Sequence, residues 1–270
     1  MLAGQQLSVI AGRLRAAERD QAPIAPLTDS YPALEPADAY AIQLHNIRCR
    51  AAPVVGHKVG LTSAAMQQMM GVGEPDYGHL VADMRLFENV PVQAGRYCCP
   101  RVEIEVAFVL GADLPGEECT EADVLAVTEA VAPAIELIDS RIADWRIRLP
   151  DTIADNASSA GFVLGQARAR PGDLDLRGIE ATLWRSGGLV AHGRSDAVLG
   201  NPVTAVAWLA RAVARFGVRL RAGHIILPGA CDRAIDARPG DEFRADFSGL
   251  GTVRLSFAES GSRGPAVTDS

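Results

Sequence analysis

Glu103 and Glu105 lie two residues apart in the stretch 101–110, where Val102, Ile104, Val106, Phe108 and Leu110 alternate with Glu103, Glu105, Ala107 and Val109. A period of two rich in β-branched residues predicts a strand. One face is wholly apolar and must lie on a core. The other carries both carboxylates pointing the same way, their Cα atoms about 6.6–6.8 Å apart. Like charges that close repel, and partial burial makes the repulsion worse. A divalent cation removes it, and an oxygen-only ligand set suits Mg²⁺ or Mn²⁺. A solvated strand face carries the same pattern, so the pair alone leaves both readings open. Residues 134–139 read as a second strand, with Ile135 and Leu137 on one face and a third carboxylate, Glu136, on the other.

Other groups could join these. Lys58 stands in an otherwise uncharged run, Val54 to Ser63, read as a strand entering a turn. It is either a solvated edge charge or a functional cation. Asp76 and Tyr77 are placed at the tip of a Gly- and Pro-rich loop over 71–78, where binding groups often sit. Asn156, Ser158 and Ser159 belong to a small, polar segment over 151–161 and can donate hydrogen bonds, or form an ordinary turn. Several chemistries lack their motifs. There is no GxSxG, no HxxxH or HxH, and the GxG at Gly71 is not part of a GxGxxG. The cysteines number five, two of them adjacent and none in CxxC, which points to reduced thiols in a cytoplasmic protein.

The elements that must position these groups follow from the pattern. Residues 1–19 predict a helix with Leu2, Leu7, Ile10 and Leu14 on one stripe, and 36–50 a second with Pro36 in its first turn. A short helix is expected over 64–70, short strand-like pieces over 80–97, and a helix from Thr120, its N-cap, to the break at Pro133. Strands are expected at 162–165, 179–185, 189–191, 223–229 and 253–257, with a helix over 204–215. Helices first, then many short strands, argue α+β and not a regular βαβ array. The expected organisation is a helical N-terminal region, 1–52, a catalytic domain, 53–258, and a flexible tail, 259–270. The net charge of −7 and the absence of a basic run exclude a nucleic-acid surface. No membrane span or signal layout is expected.

Five segments in order, His57–Ser63, Pro75–Gly78, Arg101–Val106, Pro133–Asp139 and Asp151–Ser159, resemble the 2-oxopent-4-enoate (2-hydroxypenta-2,4-dienoate) hydratases. These belong to the hydratase/decarboxylase branch of the fumarylacetoacetate hydrolase superfamily. The likeness runs from about residue 36 to about residue 257. It implies a mixed β-roll catalytic domain behind the helices, in a homo-oligomer. It implies Mg²⁺ or Mn²⁺ on Glu103, Glu105 and Glu136. It also implies addition of water to a 2-hydroxydienoate in aromatic meta-cleavage catabolism, in possible association with other enzymes of that pathway. Lys58 would supply a cation to the enolate or substrate carboxylate, and Asp76 would act as base or proton carrier. Ser158, Ser159 and Asn156 would bind substrate. The alternatives are the sister 4-oxalocrotonate decarboxylase, an acylpyruvase-type C–C hydrolase, and a non-catalytic partner subunit. A His–Glu dyad of the hydrolases would show as HxxE, which is absent. A decarboxylase would need a second cation, for which Arg101 and Arg141 are the candidates.

Overall fold

A computed structural model describes residues 4–259. Expectations for 1–3 and 260–270, including Leu2 and nearly all of the tail, lie outside the described residues. The chain opens with α1 (Gly4–Asp20), α2 (Leu27–Ser30) and α3 (Pro36–Cys49). Ile10, Leu14, Leu27, Leu34, Ala39 and Ile42 pack together and take in Ile142, Ile153 and Ala154 from later in the chain. The short α2 lies between the two predicted helices.

Two sheets follow. β1 (Val54–Gly60), α4 (Ala64–Met70) and β2 (Asp76–Val81) precede β3 (Arg101–Leu110), α5 (Glu121–Val127) and β4 (Thr128–Ile138). Then come α6 (Leu149–Ala154), β5 (Ser159–Leu164), β6 (Glu180–Arg185), β7 (Gly188–Arg194) and α7 (Pro202–Ala214). β8 (Ile225–Leu227), β9 (Ile235–Asp236), β10 (Glu242–Phe247) and β11 (Gly251–Ser256) complete the chain. The larger sheet runs β2-β1-β8-β3-β4-β5, with β9 also on β3, and the smaller runs β11-β10-β6-β7. Among the paired strands of the described residues, β1–β8 alone is parallel.

The alternation in β3 decides the layering. Val102, Ile104, Val106, Phe108 and Leu110 share one core with Phe243, Phe247, Val253 and Leu255 of the smaller sheet and Val203, Val206, Leu209 and Val213 of α7. Each large apolar side chain so buried contributes about 1.5–3 kcal/mol. The opposite face of β3 is thereby free for the carboxylates. Residues 195–214, with a mean hydropathy of 1.3, are apolar enough for a membrane span. Only Pro202–Ala214 is continuous α-helix there, and its apolar face is this core.

Three local expectations are corrected. Asp76 is not on a loop tip; it begins β2, pairs with Gly60 of β1 and is 1 % exposed. The 80–97 segment carries strand only at Leu80–Val81, the end of β2, and single bridges at Arg85 and Val92, with 3₁₀ pieces at Ala82–Met84 and Ala94–Arg96. Pro133 does not end α5; the helix stops at Val127 and Pro133 sits inside β4 opposite Val106. Its carbonyl accepts from Gly165 N–H, just beyond the end of β5, and in an extended strand its nitrogen faces that same side. The Gly165 carbonyl that a donor at 133 would meet accepts from Arg168 Nη1 at 2.6 Å instead, so the missing N–H leaves no acceptor unpaired. The capping box at Thr120 and Asp123 is present as expected.

Candidate active site

β3 and β4 pair so that Glu103 stands directly opposite Glu136. One carboxylate oxygen each from Glu103, Glu105 and Glu136 lies within 4.8 Å of the others. Glu105 and Glu136 are fully buried and Glu103 half-buried. β8 is short, and its end opens the site. Beyond Leu227 the chain carries Gly229, whose N–H donates to Glu105 Oε2 at 2.7 Å. Glu105 Oε1 and Glu136 Oε1 accept no hydrogen bond.

Lys58 enters from β1, 4 % exposed. Its Nζ lies 3.4 Å from Glu136 Oε2 and donates to Ala157 O at 3.1 Å. A Cβ on Gly60 would lie 2.2 Å from Asp76 Oδ1, so glycine there leaves room for the Asp76 carboxylate where it now stands, while Lys58 Nζ, at 3.6 Å, would be in ordinary contact. Thr152 Oγ1 on α6 donates to Asp76 Oδ2 at 3.3 Å. Gln43 Nε2 on α3 donates to Tyr77 O and Ile153 O, which ties β2 and α6 to the N-terminal helices.

The electrostatics follow from burial. Desolvation raises Glu136 to about 7 despite the neighbouring Lys58 ammonium. Glu105, buried beside Glu136 and Glu103, stands well above the ordinary carboxylate range. Burial likewise raises Glu103 and Asp76 against the pull of Lys58. For Lys58 burial acts downward, but Glu136, Glu103, Asp76 and Glu105 together outweigh it and hold the ammonium charged. Four carboxylates thus share one ammonium, and a further positive charge would stabilise them.

Residues 156–158 form a left-handed turn, with φ of 56°, 50° and 56° at Asn156, Ala157 and Ser158. Successive non-glycine residues in that region are costly and mark a constrained segment. Arg141 secures it. Its Nε donates to Asp155 Oδ1 at 2.5 Å, and its Nη atoms donate to the carbonyls of Asp139, Asp155 and Ser159. The Asn156 amide is committed to the backbone of His79, accepting from its N–H and donating to its carbonyl. Ser158 Oγ and Ser159 Oγ are buried without partners. Arg101 is paired with Asp236 and stacked over Trp145. Neither Arg101 nor Arg141 is therefore a spare cation. Thr152 and Gly229 were not singled out by sequence reasoning, because their contacts span long separations and no local pattern marks them.

Residues 77–258 match the fumarylacetoacetate (FAA) hydrolase C-terminal family. The chain is 43 % identical over 266 residues to the 2-keto-4-pentenoate hydratase of Paraburkholderia xenovorans (strain LB400), covering 97 % of this chain and 99 % of that one. It is 42 % identical over 252 residues to the 2-hydroxyhexa-2,4-dienoate hydratase of Comamonas testosteroni, covering 92 % and 96 %. Among solved structures, the 4-oxalocrotonate decarboxylase from Pseudomonas putida G7, complexed with magnesium and adipate, superposes with a TM-score of 0.91 at 34 % identity, covering 95 % and 99 %.

The chain belongs to the fumarylacetoacetate hydrolase family, whose helices and curled mixed sheet it shares. Within that family it is a hydratase of the 2-keto-4-pentenoate type.

Proposed function

We propose that this chain adds water to 2-hydroxypenta-2,4-dienoate (2-oxopent-4-enoate) to give 4-hydroxy-2-oxopentanoate, with Mg²⁺ or Mn²⁺ held by Glu103, Glu105 and Glu136. One observation carries the reading. Three carboxylates converge in a buried site where oxygens of Glu105 and Glu136 have no hydrogen-bond partner, facing a single ammonium. Buried polar atoms without partners are rare unless something binds them, and an all-oxygen donor set fits a hard divalent ion. That ion, when bound, supplies a Lewis acid at the 2-oxygen of the substrate.

The chain's own groups supply the rest. Lys58 holds a fixed positive charge where negative charge develops on the enolate oxygen. Ser158 and Ser159 offer two unpaired hydroxyls to the substrate carboxylate. One proton must leave the 2-hydroxyl and arrive at C5; then water adds its hydroxyl at C4 and its proton at C3. Asp76 is the carrier for both transfers, since burial raises its carboxyl towards the range where it gives and takes a proton readily. Thr152 and Gly60 orient it.

Decarboxylation is the rival chemistry, favoured by the close superposition with the decarboxylase. Its substrate carries a second carboxylate. Both candidate arginines are already paired, which supports hydration. The test is the ultraviolet decay of 2-hydroxypenta-2,4-dienoate and of 4-oxalocrotonate, with product identification. The expected product is 4-hydroxy-2-oxopentanoate, formed only with divalent metal present. Stoichiometric carbon dioxide from 4-oxalocrotonate at a comparable rate would overturn the assignment. Assembly as a homo-oligomer belongs to the same proposal, and sedimentation of the purified chain tests it.

A further inference from the structure

A second cavity lies between α1, α3 and the segment that leads into β3, and its chemistry is opposite to that of the carboxylate site. Its volume is about 640 Å³, within the range of small-molecule sites. Six arginines line it: Arg15, Arg19, Arg50, Arg85, Arg96 and Arg141. The lining carboxylates are Glu18, Asp83 and Asp155, so the surplus is three positive charges in a protein of net charge −7.

The pairing inside the cavity sharpens this. Arg50 pairs with both Glu18 and Asp83, and Arg141 holds Asp155. Those two guanidiniums account for every lining carboxylate. Arg19 turns to Asp20, and Arg15 donates only to the neutral Asn46 amide, at 2.5 Å. The guanidiniums of Arg85 and Arg96 have no hydrogen-bond or ion-pair partner among the described residues. Like charges gathered around one concavity repel unless a counter-charge sits among them. Planar guanidiniums are suited to bidentate contact with carboxylate or phosphoryl oxygens.

We propose that this cavity is a second, anion-binding site for a small organic polyanion bearing two or more carboxylate or phosphoryl groups. It is distinct from the catalytic site. Asp155 and Asn156 line it, while the adjoining Ala157 carbonyl faces Lys58, so the left-handed turn is the wall between the two.

Titration calorimetry on the full chain, in buffer stripped of divalent metal, tests this with citrate as the polycarboxylate and pyrophosphate as the phosphate probe. The expected result is one binding event per chain with at least one of them. It should weaken at least tenfold in R85A/R96A and stay unchanged in K58A. Both substituted arginines are exposed, so the double variant should retain its fold, checked by circular dichroism. The more tightly bound probe identifies the anion chemistry. Absence of binding by both probes, equal affinity in wild type and R85A/R96A, or weakening in K58A would each overturn the proposal.

Discussion

Lys58 is the side chain on which the charge balance of the active site turns. It is the single ammonium among Glu103, Glu105, Glu136 and Asp76, and removing it leaves four carboxylates, three of them buried, to repel one another. Lys58→Ala is expected to lower kcat by about 10²–10³, the range for one fixed electrostatic group. Thermal unfolding should remain cooperative, because the carboxylates can take up protons. A fully active, folded variant would remove Lys58 from the mechanism. Ser159 makes the complementary prediction. Its hydroxyl is buried and bonds to nothing, and its φ of −65° is ordinary. Ser159→Ala should therefore keep or raise stability, by up to about 1–3 kcal/mol for an unpaired polar group, while raising KM. A loss of stability with unchanged KM would show that the hydroxyl serves the fold.

At the scale of elements, the site is built where strands end. β8 stops at Leu227, which frees Gly229 to reach Glu105, and β1 and β2 bring Lys58 and Asp76 together over Gly60. The left-handed turn depends on the Arg141–Asp155 clamp, both members of which are buried. Breaking one side leaves a charge or unpaired group inside, a change that costs about 3–5 kcal/mol in buried pairs. Arg141→Met is accordingly expected to shift the denaturant midpoint by that order and to reduce activity by displacing the Ala157 carbonyl from Lys58. Unchanged stability would show that the turn holds its shape without the clamp.

Across the whole molecule, two sets of titratable groups pull stability in opposite directions with pH. His57 and His79 pack with their rings tilted, centroids 4.7 Å apart, on the face of β1 and β2 opposite Lys58, with His224 beside them. Burial lowers His79 to about 4 and His57 well below its ordinary value, with the neighbouring imidazoles adding to the effect. The unfolded chain therefore binds more protons between about pH 4 and 6.5. Stability from these groups is complete above about pH 6.5 and falls below it, by up to about 1.4 kcal/mol per pH unit per imidazole. Glu136 acts the other way, since it is raised from 4.5 to about 7 without metal. Its contribution is full below its unfolded value and lost as pH rises through about 7. Metal binding must displace that proton. At one fixed metal concentration the stabilisation by Mg²⁺ or Mn²⁺ should thus be larger at pH 8 than at pH 6, because Kd is lower there, reaching about 2.7 kcal/mol where that concentration is one hundred times Kd. A gain independent of pH would argue against Glu136 as a ligand.

What the sequence by itself determined is whatever repeats locally. The alternation over 101–110 set two carboxylates on one face and a core on the other, the same alternation put Glu136 opposite Ile135 and Leu137, and the three-residue spacing of Thr120 and Asp123 gave the capping box, while Lys58 stayed open between an edge charge and a functional cation. Tertiary structure decided everything that depends on distant partners. Asp76 is a buried strand residue because β1 pairs with β2, which its Gly- and Pro-rich surroundings disguise. Pro133 is tolerated in β4 because the Gly165 carbonyl beside it, just beyond the end of β5, accepts from the Arg168 side chain instead. Asn156, Arg101 and Arg141 are spent on His79, Asp236 and Asp155. Thr152 and Gly229 reach the site across 76 and 124 residues of chain. Periodicity reports which way a side chain points relative to its own element; which group it meets depends on how the elements pack, and that no local pattern encodes.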